Sequence, residues 1–465
     1  MNIRLLRFSA SQNPFDLHEK DAPFARFRSV PIRKENMMQD EPKKTLLHGW
    51  HTAHGANLAD FGRYNMPLWY PAGAKQEHLA VLTAAGMFDT SHMAAVLVFG
   101  PRSFELLQRC FTRDLNACAG RDKSALMPGN CTYGAFLDEN GCVIDDAIVY
   151  KLADQSYMVI VNAGMGGPIA RHLEAQAEEQ VPRILDLSDR LGKFDLQGPR
   201  AAFILMRVLE NPEKVLDSMG YFTFRGGMDP MARFSDAVRL TDGTPVLLSR
   251  TGYTGEFGFE IFLEPEHFIQ TWERVLEAGK DFGLLPCGLA ARDSLRAGAV
   301  LPLSHQDIGR WPFINHPWEF ALPFVSQGRS FSKAFIGDQA LLNIRSPEYT
   351  HAFVGHDLRK VSAHDRAIVL DAGGRKIGDV LTCVTDMGIG RFEDRIYSIA
   401  SPDRPEHFQP KGLSCGFVKT AIRLFPGQTV TLKDNRRKIE VVIAGDIRPD
   451  RTARRPIHQI MTVGR

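Results

Sequence analysis

The sequence has almost no surplus of charge, because 56 basic residues stand against 54 acidic ones and the formal net charge is only +2. Nucleic-acid-binding proteins usually concentrate basic residues that neutralise phosphates. The sequence also lacks any apolar run near the roughly 20 residues that a membrane-spanning helix needs. We therefore exclude a general nucleic-acid role and a membrane span, and we expect a soluble protein.

Disulfide and metal frameworks are also missing. The seven cysteines are an odd number, and no two of them form a CxxC pair, which indicates a reducing compartment such as the cytoplasm, or the mitochondrial matrix in a eukaryote. His48, His51 and His54 are the best metal candidates. Their spacing does not place them on one helix face, and no carboxylate accompanies them in the sequence. We expect no metal site, and expect these histidines on the first helix.

Two common nucleotide and hydrolase motifs, GxxxxGK[ST] and GxSxG, do not occur. The segment Gly164-Met165-Gly166-Gly167 lacks the third glycine of GxGxxG, which argues against dinucleotide binding. The chemistry of the chain must therefore lie elsewhere.

What the sequence does have is length for about three domains. Residues 1–43 mix arginines with acidic residues and lack an apolar period, which predicts a flexible extension, with Met38 as an alternative start. Residues 93–188 predict a strand, helix, hairpin, strand and helix, the order of a ferredoxin-like α+β unit. Part of this pattern recurs from Phe194, so a second, related unit is expected in residues 44–92 plus 189–345. Residues 346–465 predict a small β-barrel.

Three local expectations accompany this α+β fold. A helix from about Lys75 to Ala85 should end at Gly86. Asn140-Gly141 should form a tight hairpin turn, since both positions tolerate a positive φ. The polar segment from Asp386 to Lys411 should be a surface loop.

Two carboxylates, Asp145 and Asp146, interrupt the apolar run from Val143 to Val149 on the far side of that turn. Side chains alternate along a strand, so one of the two must face inward unless the strand bulges. A carboxylate in an apolar interior is costly unless it is paired or hydrogen-bonded. The spacing is compatible both with a wet, bulged strand end and with a functional site.

Several collinear segments together resemble the T-protein family of the glycine cleavage system, the tetrahydrofolate-dependent aminomethyltransferases. The resemblance extends from about Leu46 to the last strands, and its segments are HLAVLTAAGMFDTSHM (78–93), GCVIDDAIVY (141–150), VNAG (161–164), LSRTGYTGEFGFEIFL (248–263) and CGLAARDSLRAGAVLPL (287–303).

The resemblance implies a three-domain cloverleaf with a central folate channel and a C-terminal β-barrel domain. By motif position, Asp146 resembles the functional aspartate near the reactive end of the folate, and Glu260 the carboxylate that accepts the pterin N–H groups. The other implied folate-site residues are Tyr133, Asn162, Tyr221 and Arg292.

The implied reaction transfers the aminomethyl carbon from the lipoyl arm of H protein to tetrahydrofolate and releases ammonia. The chain departs from the family pattern at Gly298, where a glutamate is usual, at Ser304, where a tyrosine is usual, and at Gly164–Pro168. These changes leave a second hypothesis open, a tetrahydrofolate-dependent demethylase or methyltransferase with a small methylated donor. A third is a non-catalytic folate-binding or assembly protein.

Overall fold

The computed structural model describes residues 41–120, 122–178, 181–325, 330–345, 347–363 and 366–463. Most of the predicted N-terminal extension, residues 1–40, lies outside these residues, and Lys43 already belongs to the first strand. The first elements are β1 (Lys43–Lys44), α1 (His48–Ala53), β2 (Asn57–Phe61), β3 (Tyr64–Trp69), α2 (Gly73–Thr83) and β4 (Ala85–Asp89). Strands β1, β3 and β2 form a small sheet in that order.

The first α+β unit has the predicted order of strand, helix, hairpin, strand and helix. Its elements are β5 (Ala94–Phe99), α3 (Ser103–Cys110), β6 (Cys131–Leu137), β7 (Val143–Ala153), β8 (Ser156–Val161), α4 (Gly166–Gln176) and β9 (Arg183–Asp186). The strands form one antiparallel sheet in the order β6-β7-β8-β5-β9.

The second unit repeats this arrangement. Its elements are β10 (Gly192–Gln197), α5 (Ala201–Val208), α6 (Pro212–Leu216), β11 (Phe224–Arg225), β12 (Leu247–Ser249), β13 (Gly258–Leu263), α7 (Phe268–Gly279), β14 (Leu284–Pro286) and α8 (Leu289–Gly298). The sheet order is β11-β12-β13-β10-β4-β14. In the first sheet β5, which precedes Gly100-Pro101-Arg102, lies beside β8, the second strand of the β7–β8 hairpin. In the second sheet β10, which precedes Gly198-Pro199-Arg200, lies beside β13, the second strand of the β12–β13 hairpin. This shared order supports the predicted repeat.

The two sheets pack face to face between outer helices. Alternate residues of β5 and β8 pack on α3 and α4, whereas the residues between them, such as Leu97 and Ile160, meet Leu247 and Phe262 of the second sheet. The outer face of the second sheet packs on α5 and α7. Side chains that alternate inward on β7, β10 and β13 therefore share the space between the sheets.

The C-terminal β-barrel is confirmed as a closed barrel in the order β15-β20-β17-β16-β21-β22. A short helix, α9 (Asp338–Leu342), precedes it, and the remaining elements are β15 (Tyr349–Gly355), β16 (Ile368–Leu370), β17 (Lys376–Asp386), β18 (Ile389–Phe392), β19 (Arg395–Ser398), β20 (Leu413–Thr420), β21 (Thr429–Lys433), β22 (Lys438–Ala444) and α10 (Ile457–Val463). The barrel shares a buried core with the β6–β7 hairpin and with the segment around Phe313 and Trp318.

The α+β fold class with its terminal barrel is thus confirmed, and the domain boundaries given above stay a prediction. Among the described residues, no helix combines the length and apolar character needed to cross a membrane.

The three local expectations need correction. Helix α2 ends at Thr83, and Ala85 and Gly86 belong to strand β4, where they pair with β14. A Cβ on Gly86 would lie 2.5 Å from Val81 Cγ2 and 2.7 Å from Cys287 Sγ. This glycine therefore permits close packing of strand and helix, and it does not cap the helix.

The hairpin turn is longer than the predicted two residues. Residues 138–142 connect β6 to β7, and of the predicted pair only Gly141 has a positive φ, +76°. The amide of Gly141 donates to the carbonyl of Asp138, and the Asp138 carboxylate accepts from the amides of Asn140 and Cys142. The Asp138 side chain, which the dipeptide rule ignores, stabilises this wider turn.

The segment after Asp386 is not a simple surface loop. It contains the hairpin β18–β19, and Asp386 itself is completely buried. The composition of the segment predicted exposure, but a buried arginine partner, described below, accounts for the position of this carboxylate.

Candidate active site

Strand β7 directs its two aspartates to opposite faces, as their alternation predicts. Asp145 is fully buried on the side of Ala147 and Val149. Asp146 is partly buried and points, like Tyr150, toward the space between the sheets. Both aspartates pair with β6, with Asp145 opposite Phe136 and Asp146 opposite Ala135, and the β6–β7 register shifts directly beside them, between Phe136 and Leu137. The pair therefore lies inside the β6–β7 ladder next to a bulge, and not at a frayed strand end.

Two other predicted site residues, Tyr133 and Asn162, bind the carboxylate of Asp146. The Tyr133 hydroxyl donates to Asp146 Oδ2 at 2.8 Å, and Asn162 Nδ2 donates to Oδ1 at 2.7 Å. Burial, together with the negative charge of Asp145, raises the pKa of Asp146 from its ordinary value of 3.8 to about 6. The carboxylate is therefore ionised at neutral pH, but its charge is costly and available to stabilise a cation.

Asp145 is held by a second set of donors. Its carboxylate accepts from the Asn162 backbone amide at 2.8 Å, from Asn162 Nδ2 at 2.8 Å and from Ser304 Oγ at 2.9 Å. His305 Nε2 lies 3.6 Å from Asp145 Oδ1. The amide group of Asn162 donates to both carboxylates, so it fixes their separation and partly compensates for their repulsion.

A second cluster surrounds Glu260 in the same space between the sheets. Glu260 on β13 lies directly opposite Asp195 on β10, a pairing of like charges that is unfavourable alone. Lys193 lies between them, with Nζ 2.7 Å from Asp195 Oδ1 and 3.1 Å from Glu260 Oε1. Thr251 and Tyr150 donate to Glu260 Oε2 at 2.8 and 3.2 Å. The cluster is a buried, hydrogen-bonded charge network.

Arg292 connects this cluster to the rest of the site. Its guanidinium NH1 donates to Asp195 Oδ2 at 2.7 Å, and the group lies over the Tyr253 ring at 4.9 Å. Burial raises the pKa of Tyr253, and the charge of Asp146 acts in the same direction, whereas Arg296 and Arg292 oppose it. Tyr253 therefore packs against Arg292 and lies within the electrostatic influence of Asp146.

Tyr221 is the predicted residue that the described structure joins to neither cluster by a hydrogen bond. Its ring packs edge-on against Phe222 at 4.7 Å and lies beneath Arg454 at 5.8 Å. Burial raises the pKa of its hydroxyl, while the charges of Arg454 and Arg250 lower it. Tyr221 lies in the segment that precedes β11.

Several charged residues of the site were missed by sequence reasoning. Lys193 and Asp195 alternate with Phe194 and Leu196 in an otherwise apolar strand, which is the same signal that drew attention to Asp145 and Asp146. His92 had no such signal. It is buried, its Nδ1 has no partner among the described residues, and burial lowers its pKa to about 4.

The departure at Gly298 has a structural counterpart in the barrel. A Cβ at this position would lie 1.9 Å from Asp386 Oδ2. That carboxylate instead pairs with Arg448 at 2.6 Å and, through Oδ1, with His78 Nε2 at 2.8 Å. Arg448 also pairs with Glu256 at 3.0 Å. A carboxylate from the barrel thus occupies the space that a side chain on α8 would need.

The three early histidines lie on α1 or directly after it, as expected. His51 is buried, with Nε2 2.9 Å from Asp89 and Nδ1 2.8 Å from the Tyr70 hydroxyl. The sequence did not indicate this carboxylate because Asp89 is 38 residues away. The contacts tie α1 to β4.

Comparison with known proteins decides the family. The model described as the GCVT N-terminal domain matches residues 47–326, more than half of the 465-residue chain. The chain belongs to the GCVT family. The predicted resemblance to glycine cleavage T proteins is thereby confirmed.

Individual GCVT relatives are similar in sequence to this chain over most of their own length. The chain is 35% identical to the aminomethyltransferase of Caldanaerobacter subterraneus subsp. tengcongensis over 344 residues, 74% of this chain and 84% of the relative. It is 33% identical to that of Natranaerobius thermophilus over 340 residues, 73% and 85% of the two chains.

Among solved structures, the glycine cleavage system aminomethyltransferase T of Bartonella henselae matches with a TM-score of 0.65 and 25% identity. The match covers 87% of this chain and 97% of that one. The GCVT fold therefore extends through the terminal barrel.

Proposed function

We propose that this GCVT-family chain is the aminomethyltransferase, or T protein, of a glycine cleavage system. It takes the aminomethyl carbon from the lipoyl arm of an H protein and transfers it to tetrahydrofolate as co-substrate, giving 5,10-methylenetetrahydrofolate and ammonia. The observation that carries the proposal is the arrangement of Asp146, Tyr133 and Asn162 at the space between the two sheets.

The Glu260 cluster suits the pterin end of the folate. A carboxylate offers about four acceptor positions. Oε2 accepts from Thr251 and Tyr150, whereas Oε1 accepts from Lys193 alone among the described donors. One position on Oε1 therefore remains for an N–H donor, and the buried site makes such a charge-assisted bond strong. In this proposal Arg292 and Tyr221 form the adjoining walls.

Asp146 suits the reacting end. Cleavage of the bond between carbon and amine nitrogen makes the carbon electron-poor, and a fixed carboxylate stabilises that charge without reorganisation. Its pKa of about 6 leaves it ionised at neutral pH, which favours this electrostatic role. Tyr133 and Asn162 hold the carboxylate in place, and this orientation contributes to catalysis as well.

The test is a turnover assay with the purified full chain, tetrahydrofolate and aminomethylated lipoyl H protein. Both ammonia and 5,10-methylenetetrahydrofolate are expected. Asp146→Asn should abolish turnover and retain folate binding. The control is Asp154→Asn, which should leave turnover unchanged because the Asp154 side chain is 91% exposed. Full activity of Asp146→Asn would contradict the assigned role. No turnover by the wild type, with folate binding retained in both proteins, would be the outcome for a non-catalytic folate-binding protein.

A second candidate, a tetrahydrofolate-dependent demethylase of a small methylated donor, is favoured by one feature. Ser304 and His305 flank Asp145 where the family pattern has a tyrosine at position 304. This changes the donor entrance and leaves the Glu260 cluster intact. Folate binding without ammonia from H protein, combined with methyltetrahydrofolate formed from a methylated small molecule, would favour this candidate.

The proposal also includes a reducing compartment, the cytoplasm or a mitochondrial matrix. It is supported by the seven cysteines, all of which are free thiols.

A further inference from the structure

His305 has a left-handed backbone conformation. Its φ is +62°, a region that non-glycine residues rarely adopt and that is often found at functional sites. The conformation brings the imidazole to the aspartate pair, with Nε2 3.6 Å from Asp145 Oδ1. The side chain remains 48% exposed while Asp145 is fully buried. His305 therefore connects the buried carboxylate to the solvent side of the site.

The surroundings favour the protonated imidazole. The charged groups that face it are Asp145 and Asp146 on β7 and Arg310 from its own loop. Interaction with Asp145 raises the pKa of His305, burial and Arg310 lower it, and Asp146 raises it, with a net increase above 6.5. An imidazolium at this place is a proton donor near neutral pH.

The other described side chains that contact the aspartate pair are weaker proton donors. Burial and the charge of Asp146 raise the pKa of Tyr133 well above its ordinary value of 10. Asn162 and Ser304 do not give up protons near neutral pH. Asp146 is itself ionised above about pH 6. Among these groups, only His305 combines an available proton with access to solvent.

We propose that His305, supported by Asp145, is the general acid that protonates the departing amine. The inference rests on the proposed function. In this step the bond between the methylene carbon and the amine nitrogen breaks, and its electron pair stays on the nitrogen. That nitrogen takes the imidazolium proton and leaves as ammonia. The carbon forms a bond to one folate nitrogen, and the proton lost from this nitrogen returns to the imidazole. The bond from the carbon to the lipoyl sulfur then breaks with its electron pair left on the sulfur. The second folate nitrogen closes the methylene bridge, and its proton goes to the sulfur to give the thiol.

The test uses His305→Gly in the full-length protein. Glycine accepts a φ of +62° without strain, so the variant should fold at least as well as the wild type. We expect kcat for ammonia release to fall about 100-fold at neutral pH, within the range of general acid catalysis. Added imidazole should restore much of the rate. The decline of kcat at alkaline pH that reports loss of the acid should disappear from the profile of the variant.

The matched control is His407→Gly, because His407 is an exposed histidine in the segment after β19. It should neither slow the reaction nor respond to imidazole. If wild-type protein releases ammonia and His305→Gly is equally active, the proposed function stands and the inference is overturned. The inference also fails if His305→Gly is slow but is not restored by imidazole and keeps the alkaline decline, which would indicate a structural role. If wild-type protein releases no ammonia from H protein, the proposed function fails and the inference fails with it.

Discussion

Replacement of Asp146 by asparagine should separate stability from activity. The new amide side chain would retain an acceptor for Asn162 and a polar partner for the Tyr133 hydroxyl, the two groups that bind the carboxylate now. It would remove the negative charge that lies beside Asp145. We therefore expect an inactive protein that is more stable than the wild type at neutral pH, as is common for residues selected for function.

The magnitude follows from the pKa of Asp146. In the folded protein the carboxyl keeps its proton up to about pH 6, whereas in the unfolded chain it loses the proton near 3.8. Between these values the folded state binds more protons, so the free energy of unfolding falls as pH rises through this window. The difference in pKa corresponds to an upper bound of about 3 kcal/mol. Because the side chain is only partly buried, solvent screening should reduce the effect to about 1–2 kcal/mol.

Urea unfolding of both proteins at pH 4 and pH 7.5 measures this difference. The variant should gain about 1–2 kcal/mol at pH 7.5 and only a small fraction of that at pH 4, since the wild-type carboxyl is then protonated in the folded state and still partly protonated in the unfolded chain, where its pKa is near 3.8. The exposed Asp154 provides the control, because Asp154→Asn should change stability by less than about 0.5 kcal/mol. A loss of stability at pH 7.5, or an equal gain at both pH values, would refute the argument that Asp146 carries a strained charge.

Two further substitutions test the other charged clusters. Glu260→Gln should weaken tetrahydrofolate binding about 10- to 100-fold by calorimetry, because a charge-assisted hydrogen bond contributes about 1.5–3 kcal/mol; unchanged affinity would exclude Glu260 as the pterin acceptor. Asp386→Asn should lower the free energy of unfolding by about 3–5 kcal/mol, since Arg448 and His78 then lose a buried partner. The exposed Asp379, 55% accessible and paired with Lys376, is its control, and an equal effect of Asp379→Asn would contradict a special role for the buried pair.

The sequence predicted those features that depend on neighbours in the chain. Successive side chains of a strand point to opposite faces, so the separation of Asp145 from Asp146 on β7 could be predicted from adjacent residues alone. The resemblance additionally related Tyr133 and Asn162 to Asp146, and the structure brings these three side chains together. The position of Tyr221, which is hydrogen-bonded to neither cluster, was not fixed by any local pattern.

Features that depend on contacts between distant segments were not predictable. The buried state of Asp386 requires Arg448, 62 residues later, and His78, 308 residues earlier, whereas local composition indicated a loop. The contact of His305 with Asp145 likewise depends on the positive φ of His305. It also depends on a loop that is distant in the sequence, since Ser304, the residue before His305, is 159 residues from Asp145. Neither a polar segment nor a single histidine carries that information.

The two departures on and after α8 therefore have different consequences. At position 298 glycine stands where the family pattern has a glutamate. The Asp386 carboxylate from the barrel occupies the space of that side chain and pairs with the buried Arg448. At Ser304 the smaller side chain binds Asp145 and leaves His305 half exposed beside it. The first change keeps a carboxylate at this place in the core, but the second changes which proton donors lie beside Asp145. Selectivity for the donor should consequently depend on residues 304 and 305, and the substitution at 298 should affect stability alone.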